Sequence, residues 1–296
     1  MPLKIIVDDK AGPCGGVKRV IRLTEENLQA GFKTASLGHV IHNDIEIARL
    51  KELGMSETDH SVLACDDDPP ESSEKRLVIR AHGEPPETFE KAKEAGISVV
   101  DGTCPVVTRS QRYAQKYYEQ GYQVVIIGKP KHAEVIGIMG YCNNEAIVVH
   151  DEGDIPQLNS DKPTYVIAQT TISDDMWYGM VAAVQKRCHD VTTRNTICAF
   201  VADRENELRV FAKSVDAVIF VGGRNSSNTM VMHEVCKSVN PRSYWVETAN
   251  EVEAEWIEGI ESVGISGSAS TPQWLLEAVG NALAKRFMDR QAALVS

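Results

Sequence analysis

Three of the seven cysteines are set apart by their spacing. Cys14, Cys104 and Cys198 lie 90 and 94 residues apart, and each opens a stretch whose apolar residues recur at helical intervals. These are Val17, Val20, Ile21 and Leu28 after the first, Val107, Ala114, Tyr117 and Tyr118 after the second, and Val201, Leu208, Phe211 and Ala212 after the third. A cysteine at such a junction faces the N–H groups and positive dipole end of the helix, which favour a thiolate. Three thiolates meeting at one point suit a metal, either zinc or an iron-sulfur cluster, since both take soft ligands. A closed zinc site usually draws on closely spaced cysteine pairs, and the chain has no CxxC. A four-iron cluster on three cysteines leaves one iron open to bind a substrate oxygen as a Lewis acid, as well as passing electrons. Cys65, Cys142, Cys188 and Cys236 lack this placement and read as small buried hydrophobes.

The elements that must position these cysteines repeat with the same period. A β-like run follows each helix, at 34–38, 122–128 and 217–222, and ends on a glycine 24 residues after the cysteine. Polar residues recur just beyond: His42, His132 and Ser226, then Asn43, Ala133 and Ser227, then Asp44, Glu134 and Asn228. A second strand (77–79, 165–167, 262–265) leads to Ala81-His82-Gly83, Gln169-Thr170-Thr171 and Ser268-Ala269-Ser270, and a helix follows each (85–95, 174–187, 272–287). Proline near the start of the first and last helices suits a position where a missing N–H is harmless. A further strand at 97–100 leads into Cys104, and the segment 3–7 plays that part before Cys14.

This alternation predicts an α/β fold of three pseudo-threefold-related lobes, with mostly parallel sheets around a central cluster site. The expected lobes are 14–96, 97–193 and 194–296, the strand in 1–13 completing the third. The acidic stretch 66–76 reads as an exposed loop, and the four tryptophans, Trp177, Trp245, Trp256 and Trp274, as core or helix-packing residues. Ligands of such sheets bind beyond the carboxyl ends of the strands. That is where the repeats place His42, His82, His132, Glu134, Thr170, Thr171, Ser226, Ser227, Asn228 and Ser270. Neutral donors of this kind, with helix amino ends, can bind a phosphate or diphosphate. Glu134 is the carboxyl group in the set suited to acid–base work, since Asp44 in the matching place can equally be an N-cap.

Composition narrows the class. Forty-three per cent apolar and 25% charged residues in 296 describe a globular chain with a full core. No run approaches the roughly 18 apolar residues of a membrane helix, and Asp8, Asp9 and Lys10 interrupt the only apolar stretch near the amino terminus, so a cytoplasmic location is expected. A net charge of −11 argues against general binding to nucleic acid or anionic membrane. The odd cysteine count argues against a disulfide framework.

The motifs resemble those of the 4-hydroxy-3-methylbut-2-enyl diphosphate reductases of the non-mevalonate isoprenoid pathway, the LytB-type iron-sulfur reductases, over essentially the whole chain. The resemblance rests on Pro13-Cys14-Gly15-Gly16-Val17, Ile41-His42-Asn43, Arg80-Ala81-His82-Gly83, Asp101-Gly102-Thr103-Cys104-Pro105, His132-Ala133-Glu134-Val135, Gln169-Thr170-Thr171, Thr196-Ile197-Cys198, Asn225-Ser226-Ser227-Asn228 and Ser268-Ala269-Ser270, in the family's order. It implies a [4Fe-4S] cluster on Cys14, Cys104 and Cys198 and reductive removal of the allylic hydroxyl of a small-molecule diphosphate. Two electrons from a ferredoxin or flavodoxin would give isopentenyl and dimethylallyl diphosphates. By the same resemblance His42, His82, His132, Ser226, Ser227, Asn228 and Ser270 would hold the diphosphate, and Glu134 would deliver protons with Thr170 placing the substrate hydroxyl. Pro13, Ala133 and Asp203 depart from the commonest pattern, and Asp203 would add negative charge near the cluster. The rival readings are another cluster-dependent reductase or dehydratase, a non-catalytic iron-sulfur or zinc-binding protein, and a thiol hydrolase using Cys104 or Cys198. The last explains one cysteine and leaves two idle.

Overall fold

The computed structural model describes residues 3–63 and 75–295, which leaves Cys65 and most of the 66–76 stretch outside the described residues. In chain order the first elements are β1 (Lys4–Val7), α1 (Gly15–Gln29), β2 (Lys33–Leu37), α2 (Asp44–Glu52), β3 (Ser56–Thr58), β4 (Lys75–Ile79), α3 (Pro86–Glu94) and β5 (Ser98–Asp101). The second series is α4 (Pro105–Glu119), β6 (Gln123–Ile127), α5 (Ala133–Gly140), β7 (Ile147–Val149), β8 (Thr164–Ala168), α6 (Asp174–Arg187) and β9 (Val191–Thr193). The third is α7 (Ala199–Lys213), β10 (Ala217–Val221), α8 (Ser227–Val239), β11 (Ser243–Val246), β12 (Ser262–Gly267) and α9 (Gln273–Val295).

These strands form three four-stranded sheets, ordered β3-β2-β4-β5, β7-β6-β8-β9 and β11-β10-β12-β1. Every strand pair is parallel, so the three lobes share one α/β topology. The amino-terminal β1 takes in the third sheet the place that β5 and β9 take in the others, pairing Lys4 with Ser262 through Val7 with Ile265. β5 pairs with β4 and closes the first sheet, whereas a boundary at 96 would have passed it to the second lobe. A strand that leads into the next cysteine thus belongs to the preceding sheet.

The chain divides into two compact units. One contains Met1–Gly15, His42–Ala48 and Ala199–Ser296, and the other Gly16–Ile41 and Arg49–Cys198. The third sheet lies in the former and the first two sheets in the latter. The central strands β6, β8 and β10 are buried along their whole length, as their apolar runs Val124–Ile127, Tyr165–Ala168 and Ala217–Val221 require when helices cover both faces. Tyr165 stacks on Tyr117 of α4 with ring centroids 3.6 Å apart. On α4, Val107, Ser110, Gln111 and Ala114 share the buried face at helical spacing.

Several elements differ from the sequence reading. The edge strands β3, β7 and β11 have three or four residues and escaped notice, and α9 continues past residue 287 to Val295. The tryptophan reading holds for Trp177, a core residue, and for Trp274, which is 40% exposed and joins α9 to α2 by donating its indole N–H to Glu46 at 2.9 Å. Cys142, Cys188 and Cys236 are buried, as expected of small hydrophobes, and burial pushes the Cys142 and Cys236 thiols up to about 12, which leaves those two unreactive. No helix among the described residues is long and apolar enough to cross a membrane.

Candidate functional site

The three spaced cysteines stand where the sequence placed them. Cys14 immediately precedes α1 and Cys198 immediately precedes α7, while Cys104 is the N-cap of α4, with Pro105 as that helix's first residue. All three are half-buried, whereas Cys142, Cys188 and Cys236 are buried. The backbone fixes their approach: Cys14 N–H donates to Ala269 O at 3.2 Å, Cys104 N–H to Ala81 O at 3.0 Å and Cys198 N–H to Thr170 O at 2.9 Å. Each acceptor belongs to the loop after the second strand of a lobe, the loop that also carries His82, Thr170 or Ser270. Gly16 tests whether these residues suit a shared soft-metal group. A Cβ there would lie 2.7 Å from Cys104 Sγ, so the first turn of α1 is bare where the Cys104 thiol rests against it. Position 16 therefore tolerates no side chain beside Cys104. Each of the three is a half-buried thiol at a helix amino end, a soft donor of the kind that a metal cluster takes.

Within the larger unit, Glu134 and Thr170 form a pair. Glu134 lies in the first turn of α5 and is 1% exposed. Its Oε1 accepts from Thr170 N–H at 2.7 Å and its Oε2 from the Thr170 hydroxyl at 2.7 Å. Burial raises its carboxyl to about 7 from the usual 4.5, and the two Thr170 bonds oppose that rise without cancelling it. A carboxyl group half-protonated near neutrality is suited to donating a proton. Thr170 is positioned by its neighbours in turn. Thr196 accepts from Ala168 N–H at 2.8 Å and donates to Ala168 O at 2.6 Å, and Gln169 bridges to Lys129 N–H at 3.0 Å and the Thr171 hydroxyl at 2.8 Å.

His82 and His132 meet in the same unit, their rings in an edge-to-face arrangement with centroids 5.4 Å apart. His132 is the N-cap of α5, and its Nδ1 accepts from Glu134 N–H at 3.2 Å. The loop that carries His82 is spanned by a polar bridge. Arg80 Nε and Nη2 donate to Glu84 Oε1 at 2.9 and 2.6 Å, and His60 Nε2 lies 3.0 Å from Glu84 Oε2. Gly83 between them has φ +75°, and a Cβ there would stand 2.6 Å from Gln111 Nε2 and 3.0 Å from Thr103 Cγ2. Both the backbone angle and the space demand glycine.

In the other unit Ser226, Asn228 and Ser270 come together, all under 10% exposed. Ser226 caps α8 by accepting from Thr229 N–H at 3.2 Å, Asn228 Oδ1 accepts from Ala269 N–H at 2.9 Å, and Ser270 Oγ reaches Ser226 Oγ at 3.4 Å. Ser227 is the first residue of α8. His42 is adjacent, because a Cβ on Gly223 would lie 2.8 Å from His42 O. The cap of α2 is Asn43, whose Oδ1 accepts from Glu46 N–H at 3.0 Å. Asp44 is therefore a first-turn acid, and its Oδ2 accepts from Asn225 Nδ2 at 3.3 Å. Asp203 is exposed, and the buried carboxylate beside α7 is Asp8, bonded to Arg204. Sequence reasoning missed Gln111, Glu84, Asp8 and Arg204. The i,i+4 Arg80–Glu84 pair across the His82 loop was a visible signal for one of them.

Curated relatives and solved structures that this chain resembles are named as reductases. A curated relative from Chlorobaculum parvum named 4-hydroxy-3-methylbut-2-enyl diphosphate reductase is 37% identical, the match covering 97% of this chain and 98% of the relative. One of the same name from Bacteroides fragilis is 38% identical, covering 98% and 100%. Among solved structures, one described as (E)-4-hydroxy-3-methyl-but-2-enyl diphosphate reductase, the terminal enzyme of the non-mevalonate pathway, superposes with TM-score 0.73 at 35% identity, covering 96% of this chain and all of that one. The E-1-hydroxy-2-methyl-but-2-enyl-4-diphosphate reductase of Plasmodium falciparum superposes with TM-score 0.83 at 25% identity, covering 95% and 88%. The family model described as LytB protein matches residues 5–284, and with these near full-length likenesses it establishes that the chain belongs to the LytB family.

Proposed function

We propose that the chain is a 4-hydroxy-3-methylbut-2-enyl diphosphate reductase, removing the allylic hydroxyl of its substrate to give isopentenyl and dimethylallyl diphosphates. The observation that carries this reading is the buried Glu134–Thr170 pair in a chain whose three spaced cysteines each open a helix. The reaction takes up two electrons and two protons and releases the hydroxyl as water. Membership of the family implies a metal cluster, which we assign as [4Fe-4S] on Cys14, Cys104 and Cys198. When bound, such a cluster supplies the electrons and an open iron as Lewis acid.

The chain's own residues do the rest. Glu134, with its carboxyl near 7, is substantially protonated at neutral pH and gives its proton to the departing hydroxyl oxygen. Thr170 donates its own hydroxyl hydrogen to Glu134, which leaves the Thr170 oxygen as an acceptor to orient the substrate hydroxyl. His42, His82, His132, Ser226, Ser227, Asn228 and Ser270 are the residues we assign to the diphosphate, as the family resemblance implies. The amino ends of α5 and α8 add N–H groups and dipole. Hydroxyl, amide and imidazole donors allow a chain of net charge −11 to take a strongly anionic substrate without a general basic surface. A ferredoxin or flavodoxin is the electron donor.

The test is anaerobic turnover of the diphosphate with a reduced viologen dye in place of the protein donor. Wild-type chain should oxidise the dye only when substrate is added, and Glu134→Gln should abolish turnover while still binding substrate. An intact cluster with no turnover would shift the protein to another substrate, and undiminished turnover in Glu134→Gln would remove the proton-donor role.

A further inference from the structure

The end of β1 carries a buried charge pair that the chemistry above does not use. Asp8 is 5% exposed and Arg204 of α7 is 4% exposed. Arg204 Nη2 donates to Asp8 Oδ2 and, at 2.7 Å, to Ser266 Oγ of β12, whose hydroxyl donates to the same Asp8 oxygen at 2.9 Å. Asp8 Oδ1 accepts from Lys10 N–H at 3.0 Å. Its backbone joins in as well, Asp8 N–H donating to Ile265 O at 2.8 Å and Asp8 O accepting from Ala11 N–H at 3.1 Å. Arg204 Nη1 is buried with no hydrogen-bond partner.

Burying two ions is expensive, and a well-packed apolar pair of equal volume is commonly as stable or more so, so stability does not explain the arrangement. Direction does. Charge-assisted bonds fix angles as well as distances, and these fix a short irregular segment whose far end is Cys14. Asp8 lies six residues before Cys14, and Arg204 lies six residues after Cys198. The segment contains Gly12 at φ +117° and ends with Cys14 N–H on Ala269 O, so it is tied to β12 at one end and to the Ser270 loop at the other. The pair is neutral in sum and adds no net charge to a neighbouring group.

We propose that Asp8 and Arg204 are positioning residues for the Cys14 thiol, locking the segment that leads from β1 to this ligand so that it holds iron tightly. The inference rests on the cluster reading above. Without the lock the segment still spans β1 to α1, but its thiol leaves and returns more often, and iron escapes.

The experiment follows iron release from anaerobically purified holoprotein to an excess of ferrous chelator, together with the electron paramagnetic resonance spectrum of the reduced protein. Asp8→Asn and Arg204→Lys should load iron, keep the wild-type circular dichroism and release iron at least about tenfold faster, with an altered resonance spectrum. Ser266→Ala, which removes one bond and keeps the ion pair, should accelerate release by about threefold, and it carries the test if the charge variants do not fold. Val263→Ala supplies a purely structural loss in the core of the same sheet and should release iron at the wild-type rate below its unfolding temperature. Release within about twofold of wild type in Asp8→Asn and Arg204→Lys, or in Ser266→Ala where those do not fold, overturns the proposal. So does equal acceleration in Val263→Ala. A wild-type chain holding neither iron nor sulfide removes the cluster reading itself, and that outcome is visible before any variant is made.

Discussion

Glu134 ties its proton chemistry to the stability of the whole chain. Its carboxyl sits at about 7 in the folded protein against 4.5 when exposed, because burial outweighs the Thr170 bonds. A group whose pKa is raised by folding binds more protons folded than unfolded between those two values, so stability falls as pH climbs through that window. One pKa unit is worth about 1.4 kcal/mol, so ionised Glu134 costs about 3 kcal/mol at pH 8 but only about 1 kcal/mol at pH 5. Glu134→Gln is neutral throughout. Its carbonyl can still accept from Thr170 N–H, and its amide can donate to the Thr170 oxygen. The variant should therefore gain on wild type by about 2 kcal/mol between pH 5 and pH 8, which for a chain of this length widens the melting-temperature gap by about 4 °C. Thermal unfolding of the two proteins side by side, at equal metal loading, measures this directly, because every other titrating group is shared and cancels. A gap that stays constant within about 0.5 kcal/mol, or narrows with rising pH, would refute the reasoning, since the carboxyl would then titrate at or below its ordinary value.

Other expectations are as specific. Thr170→Val removes one of the two bonds that hold the Glu134 carboxyl down, so the basic limb of the turnover profile should move above pH 7 while the rate drops by about tenfold or more; an unmoved limb would argue against the pairing. Gly16→Ala should strip at least about half the iron from an otherwise folded chain by crowding Cys104 Sγ, whereas Gly15→Ala, whose Cβ meets nothing within 4 Å, should keep it. Equal iron in both would contradict the close approach. Glu84→Gln loosens the Arg80 bridge across the His82 loop, so KM for the diphosphate should rise about five- to tenfold with kcat within about twofold. An unchanged KM would remove the bridge from substrate binding.

The parts of the molecule legible from sequence were those with strong local physics. Fully buried strands such as Val124–Ile127 read as apolar runs, and the glycine 24 residues after each cysteine marked where they stop. Short edge strands gave no such signal: Ser56-Glu57-Thr58 is polar and largely exposed, and only its parallel pairing with β2 makes it a strand. Helices α2, α5 and α8 were seen only as polar clusters, because they start on the polar capping residues Asn43, His132 and Ser226, the last two of which were also read as site residues. The residues that went unnoticed act over distances sequence does not display. Asp8 and Arg204 are 196 residues apart, and Gln111 is a polar residue on the buried face of an otherwise ordinary amphipathic helix.

The most direct test of the account is the iron and acid-labile sulfide content of protein purified without oxygen, measured beside Cys104→Ser. The account predicts about four of each per chain in wild type and a sharp fall in the variant. Stoichiometric zinc with no sulfide would contradict it, leaving a LytB-type fold whose cysteines serve a closed metal site and whose Glu134 has no reduction to assist.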